Sequence, residues 1–304
     1  MAVLQSELGI RIVVPHHLTV GRSPRNYLRL DLPEVSSQHA TLRWTESGWK
    51  IRDLNSLNGV FLDGVRLPPE RQEVVTLGTR IGIGGVASSW TLVDDAPPEP
   101  IARLTADGRL VYGDAGLLPL PTAERPSATI YRNVDGSWLL ESALNQARVT
   151  DGEIVLVDGL SFELHLYEGA AETRDTSQRP LSLRNATLHF RVSRDREHVA
   201  LSIIGGRVVD LGARSHHHAL LLLAEAQLSD RNDPTLGAAE QGWLAMDQLA
   251  EQLHVDATYI NVGVFRCRKQ LAAAGVLGAE QIVERRRGTG QLRLGVERFE
   301  IIKT

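Results

Sequence analysis

Short apolar and β-branched runs alternate with clusters of Gly, Pro, Asn and Asp through residues 10–93. IRIVV, ATLRW, WKIRD, GVFLD, TRIGIG and SWTLV each last only a few residues before a turn signal interrupts them. Runs of this length and spacing predict an all-β sandwich. The densest turn region is RDLNSLNGVFLDG at 52–64, where Asn-Gly and Asp-Gly flank a short predicted strand at Val60-Phe61-Leu62. DDAPPEP at 94–100 then predicts a linker.

Residues 101–168 are strand-like again and echo the first segment. Ala40-Thr41-Leu42 recurs as Ala128-Thr129-Ile130, each followed by a Gly and a Trp, and TLGTRIGIG at 76–84 is answered by TDGEIVLVD at 150–158. The preserved order of features predicts a tandem duplication. GAAETRDTSQRP at 169–180 predicts a second linker. Beyond it the period changes: strand-like LHFRVS, HVALSII and RVVDLG lead into ALLLLAEAQL, WLAMDQLAEQLHV and DATYINVGVFRCRKQLAAAGV, which have helical spacing. Asp256 is placed to cap the third helix and Gly275 to stop it. QIVERRRGTGQLRLGV predicts a closing hairpin, so the C-terminal part is α+β.

Charge separates the segments. The chain carries a formal net charge of -4, but only the C-terminal third is net positive, with sixteen basic and fourteen acidic residues in 181–304. The single cysteine, Cys267, excludes an internal disulfide framework and a Cys-rich zinc site, and points with the absence of a signal peptide or long apolar run to the cytoplasm and away from membranes. His216-His217-His218 has no adjoining Cys or carboxylate cluster to complete a metal site. No Walker loop, GxSxG, HExxH or kinase motif set is present, so neither enzyme nor cofactor is expected.

Gly21-Arg22, Ser36-Ser37-Gln38-His39 and the Asp53–Gly59 stretch, in that order, resemble the forkhead-associated (FHA) domain over residues 1–95. The resemblance implies a β-sandwich that binds phosphothreonine peptides. A phosphothreonine offers three acceptor oxygens and nearly two negative charges, and therefore needs a guanidinium and hydroxyl donors converging from loops. It assigns phosphate binding to Arg22 and Ser36, a further donor to Ser37, and the peptide backbone to Asn58; Gly21, His39 and Gly59 shape and brace the loops. Leu57 stands where the family usually has a hydroxyl. In the second copy, 101–168, Gly113-Asp114 is aligned with Gly21-Arg22, Ser127 with His39, and Asn145 lacks a following Gly, which implies a degenerate FHA-like sandwich that packs or spaces.

Residues from about 183 to 296, through VVDLGARSHHHALLLLAEA, MDQLAEQL, NVGVFRCRKQLAAAG and RRRGTG, resemble the winged-helix effector domain of bacterial OmpR/PhoB-type response regulators, which implies a domain over 183–304. A helix from Asp256 puts Ile260, Val264, Cys267 and Leu271 on one core stripe. It turns Thr258, Val262, Phe265, Arg266 and Lys269 outward, with Arg268 to one side. The candidate contacts to double-stranded DNA are Arg266, Arg268 and Lys269 on this helix and Arg285, Arg286, Arg287 and Thr289 on the wing. The fold class expected is multidomain: FHA sandwich, degenerate FHA-like sandwich and α+β winged helix. The expected function is phosphothreonine-dependent regulation of transcription downstream of a Ser/Thr kinase. The alternative is an adaptor whose winged helix docks protein through Val262 and Phe265.

Overall fold

The computed structural model describes residues 1–86, 89–133, 135–167 and 181–303, so the linker expected at 169–180 lies outside the described residues. The described chain divides into two compact units, one of residues 1–101 and 165–167, the other of 102–164 and 181–303.

In the first unit the strands are Val3–Ser6 (β1), Arg11–Val13 (β2), His17–Gly21 (β3), Leu28–Arg29 (β4), Ala40–Thr45 (β5) and Gly48–Asp53 (β6), followed by Val60–Leu62 (β7), Val65–Arg66 (β8), Gln72–Val74 (β9), Arg80–Ile83 (β10) and Ser89–Asp94 (β11). They form one sheet ordered β2-β1-β11-β10-β7-β8 and another ordered β4-β3-β5-β6-β9. Period-2 alternation builds the core: Trp49, Ile51 and Asp53 of β6 are buried, while Lys50 and Arg52 stay on the outer face. Leu18, Leu42, Val60, Ile81 and Leu92 complete the interior. Residues 95–100 carry no regular structure, and Ala96 in that stretch accepts the Trp49 indole N–H at 3.2 Å.

A second sandwich, which apart from its end residues Ile101 and His165 lies in the second unit, is built of Ile101–Leu104 (β12), Leu110–Tyr112 (β13), Leu117–Leu120 (β14), Ala128–Arg132 (β15), Trp138–Ser142 (β16), Gln146–Val149 (β17), Ile154–Val157 (β18) and Leu160–His165 (β19). Its sheets run β13-β12-β19-β18 and β14-β15-β16-β17. This is the order of the first sandwich with β4, β7 and β8 removed. One difference is on the face of the second sheet. β5 alternates buried and accessible positions, whereas Ala128, Thr129, Ile130 and Tyr131 of β15 are buried on both faces. A strand is buried on both faces only when something covers each of them.

The cover is the remainder of the unit. Thr187–Val192 (β20), Val199–Ile204 (β21) and Val208–Ala213 (β22) form a sheet, and Phe299–Lys303 (β26) joins it beside β20 in parallel, a strand the hydrophobic pattern did not predict. His217–Asp230 (α1), Leu244–Ala245 (β23), Met246–Leu253 (α2) and Ala257–Ala273 (α3) follow, then the hairpin Val283–Arg286 (β24) and Gln291–Leu294 (β25). Asp256 caps α3 by accepting the Tyr259 N–H at 2.7 Å, and the helix ends just before Gly275. Ile260, Val264, Cys267 and Leu271 enter the core as expected.

Two residues expected on the outward face of α3 are instead buried, Val262 and Phe265. Phe265 packs with Leu117, Tyr131 and Leu139 of the second sandwich. Its ring is therefore interior, and Phe265→Ala is expected to lower unfolding free energy by about 3 kcal/mol, the usual loss for emptying a buried aromatic site. Urea denaturation of the full chain measures it. A loss under about 0.5 kcal/mol would mean a surface residue.

Candidate functional site

The loops at one end of the first sandwich are tied together by a small set of hydrogen bonds. Arg22 N donates to Ser36 O at 2.9 Å and Ser23 N to Ser37 O at 3.1 Å, so the loop after β3 lies against the loop before β5. Gly21 permits this approach, because a Cβ there would sit 2.4 Å from Ser37 O. His39 is fully buried and joins the same loop to the Asn-Gly turn: Ser36 N donates to its Nδ1 at 3.0 Å, and its Nε2 lies 3.1 Å from Gly59 O. An Nδ1 that accepts leaves the proton on Nε2, so the ring is a neutral brace with one acceptor and one donor.

The third loop is built from its own side chains. Asp53 accepts Ser56 N at 3.0 Å, and Ser56 Oγ accepts Gly59 N at 3.0 Å. Gly59 has φ +86, a left-handed conformation that strains a residue with a Cβ and so favours glycine there. Leu57 N donates to Ser36 Oγ at 3.2 Å, leaving the Ser36 hydroxyl proton free to donate outward. Asn58 Nδ2 donates to Glu34 O at 2.9 Å, which leaves its carbonyl and second N–H available. Arg22 and Ser37 are exposed beside these groups, and Leu57 projects at 83% exposure. The structure thus brings Arg22, Ser36, Ser37 and Asn58 to one loop cluster, with Gly21, His39 and Gly59 holding its shape. A cation, hydroxyls and an amide facing solvent together suit a peptide carrying a doubly charged oxyanion.

Among the described residues the second sandwich has no such cluster, for a reason other than the one expected. Val20 pairs with Ala40, and Leu120 pairs with Ala128, so the ladder aligns Arg22 with Thr122 and not with Asp114. Nor does Asn145 correspond to Asn58. β16 and β17 are joined by the short turn 143–145, and the counterpart of residues 54–71, which carry Asn58 and Gly59, is missing. Unequal loop lengths shifted the motif alignment; strand pairing corrects it.

The candidate DNA contacts are divided. Arg266, Arg287 and Thr289 are exposed. Arg268 and Arg285, expected to reach a duplex, are buried on Glu141 of β16: Arg268 Nη1 and Nη2 donate at 2.8 and 3.2 Å, and Arg285 Nε at 2.9 Å. The side chains of Arg268 and Glu141 are 1% and 3% exposed. Lys269 pairs with Asp114 at 2.7 Å. Arg286 pairs with Glu240 at 2.5 Å and stacks on Trp243, which Arg293 also contacts. Glu141 and Tyr131 were not singled out in the sequence, though an outward sheet face reading Leu117, Tyr131, Leu139 and Glu141 was an available signal.

Electrostatics around Glu141 favour the ionised cluster. Burial alone would push the Glu141 carboxyl up, but the guanidiniums of Arg268 and Arg285 outweigh it and hold the group below the usual range. Burial lowers Arg285, while for Arg268 burial is overcome by the attraction of Glu141. Burial, then the Glu141 charge, push Tyr131 up, and its hydroxyl donates to Glu141 at 2.8 Å. The rings of His216 and His217 both lie 3.1 Å from Gln270 Oε1, and burial lowers His216 to about 4, so it is uncharged at neutral pH. Among the described residues no helix is long and apolar enough to cross a membrane.

Residues 18–84 match the family model of the FHA domain, so the first sandwich contains an FHA domain. The oxoglutarate dehydrogenase inhibitor of Corynebacterium diphtheriae is 35% identical over 66 residues, which are 22% of this chain and 44% of that protein. The chain thus spans less than half the length of this curated relative. A solved structure from a "structural and functional analysis of phosphothreonine-dependent FHA domain interactions" is 25% identical and covers 32% of this chain and 99% of its own, with a TM-score of 0.28. Mycobacterium tuberculosis EmbR in complex with a low affinity phosphopeptide is 26% identical over 32% of this chain and 25% of its own, with a TM-score of 0.29.

Two outcomes follow from this geometry. His39→Ala removes both ties of the brace and empties a buried site, so it should destabilise the first sandwich by about 2 kcal/mol or more in chemical denaturation; an unchanged midpoint would mean the loops hold without it. Because the Glu141 pKa is depressed on folding, its contribution is complete above the ordinary carboxylate value of 4.5 and is lost as pH falls through the lower folded value. Glu141→Gln should therefore flatten the acid limb of the stability profile, and parallel profiles for the two proteins would contradict the assignment.

Proposed function

We propose that the chain is a phosphothreonine-dependent signalling protein whose first sandwich captures a phosphorylated peptide from a partner modified by a Ser/Thr kinase. The observation that carries this reading is the convergence of Arg22, Ser36, Ser37 and Asn58 at one loop end, braced by His39 between Ser36 and Gly59. Arg22 supplies the charge, the two hydroxyls and nearby backbone donors take the phosphate oxygens, and Asn58 takes the peptide backbone beside them. Leu57 in place of a hydroxyl removes one phosphate donor and offers an apolar contact instead.

The second sandwich is read as a degenerate copy of the first, supported by the shared strand order and by the missing Asn-Gly loop. The C-terminal domain is read as a winged helix: α2 and α3 are joined by the three residues His254, Val255 and Asp256, and β24–β25 supplies a hairpin beside them. Its output is transcriptional control in a bacterial cytoplasm. One observation weighs against direct DNA contact, that Arg268 and Arg285 are spent on contacts within the chain, but the burial of Val262 and Phe265 equally removes the surface through which an adaptor was expected to dock protein.

The full chain should bind a phosphothreonine peptide selected from an oriented library and ignore the unphosphorylated form in calorimetry. Arg22→Ala should weaken that binding roughly 10-fold to 150-fold, the loss expected when a charge-assisted hydrogen bond is removed. Equal affinity for the phosphorylated and plain peptides would end this reading.

A further inference from the structure

In the winged-helix reading, the outer face of α3 and the β24–β25 hairpin are the two surfaces that meet a duplex. Both are partly covered by the second sandwich, which leaves Arg266 on α3 and Arg287 and Thr289 on the hairpin exposed. From α3, Phe265 sits among Leu117, Tyr131 and Leu139, Arg268 forks onto Glu141, and Lys269 reaches Asp114. From the hairpin, Arg285 joins the same carboxylate, and the Gly288 N–H at the tip donates to Leu144 O at 3.1 Å.

The covering face has changed from that of the first sandwich position by position. The ladders align Arg43 with Tyr131, Lys50 with Leu139 and Arg52 with Glu141. Three basic side chains on an accessible face have given way to an aromatic, an aliphatic and an acid. Such a face repels nothing on a basic helix and complements it in both shape and charge.

The fit is incomplete in a way that matters. Two guanidiniums share one carboxylate, and Arg268 Nε and Arg285 Nη1 are buried without an acceptor. Unpaired buried donors are costly, and both would be relieved by water or by the several oxygens of a phosphodiester backbone. We propose that the second sandwich is a releasable cap on the duplex-binding surface of the C-terminal domain, with the carboxylates of Glu141 and Asp114 standing where DNA phosphates bind. The proposal rests on the winged-helix reading for its ligand, and on the contacts above for the cap itself.

The test uses the full chain and a random-sequence DNA duplex at low salt, with exchange of the Gly288 amide as an independent readout of cap opening. Glu141→Lys sets a third cation against Arg268 and Arg285. Asp114→Lys, at an exposed pair, disturbs the cap without burying a charge and covers the case in which Glu141→Lys fails to fold. Glu124→Lys, exposed on the same sandwich and outside the pairs named above, adds the same charge change as Glu141→Lys. The expected result is faster Gly288 exchange and at least about tenfold tighter duplex binding in the cap variants, since apparent affinity scales with the competent fraction. Glu124→Lys should leave Gly288 exchange at the wild-type rate and gain much less affinity. Faster exchange without duplex binding would keep the cap and overturn the nucleic-acid reading. Unchanged exchange in folded cap variants, or wild-type protein that binds duplex as tightly as they do with Gly288 still protected, would overturn the cap.

Discussion

One buried carboxylate organises the larger unit of this protein. Glu141 lies on a sheet strand, yet its partners come from a helix and a hairpin far along the chain, Arg268 and Arg285. Taking three charged groups out of water is costly, and leaving any of them unpaired afterwards costs about 3–5 kcal/mol. That asymmetry favours the one arrangement in which the sandwich face, α3 and the hairpin share the carboxylate. Phe265, seated among Leu117, Tyr131 and Leu139, supplies the apolar contact beside it, and the Tyr131 hydroxyl completes the carboxylate's partners.

The two sandwiches share a strand order and have specialised on different surfaces. The first invests in its loops: a glycine that admits close approach, a buried histidine with one donor and one acceptor, and an Asn-Gly turn stitched by Asp53 and Ser56. Its outer sheet face stays polar, with Arg43, Lys50 and Arg52. The second has only a short turn after β16, and its corresponding sheet face is a packing surface. Loop function and face function are separable because a sandwich core needs only the inward alternate residues, which both sandwiches supply.

Much of this was legible from local pattern. The loop cluster was legible through the motifs that resemble the FHA domain, and the buried stripe of α3 follows from helical period, which depends only on neighbours in sequence. The failures are non-local. Period 3.6 identifies Ile260, Val264, Cys267 and Leu271 as one stripe but says nothing about what covers the opposite one, where the apolar Val262 and Phe265 fit a cover within the chain as well as a separate partner. Charge made Arg268 and Arg285 look like nucleic-acid contacts, since the acid that neutralises them lies more than 120 residues upstream. The copy alignment slipped at Asp114 because motif matching ignores loop length, whereas strand pairing fixes Thr122 opposite Arg22. The β26 strand escaped because it pairs in parallel with β20 across the whole domain.

The division of labour between the two sandwiches is tested most directly by assigned amide spectra of the full chain, titrated with a phosphothreonine peptide. The account predicts that shift changes concentrate at residues 22–23, 36–38 and 57–59, where the three loops of the first sandwich meet. Residues 121–127, at the same place in the second sandwich, should not move. Binding mapped to 121–127, or a saturating titration that leaves Arg22, Ser36 and Asn58 unperturbed, would contradict it.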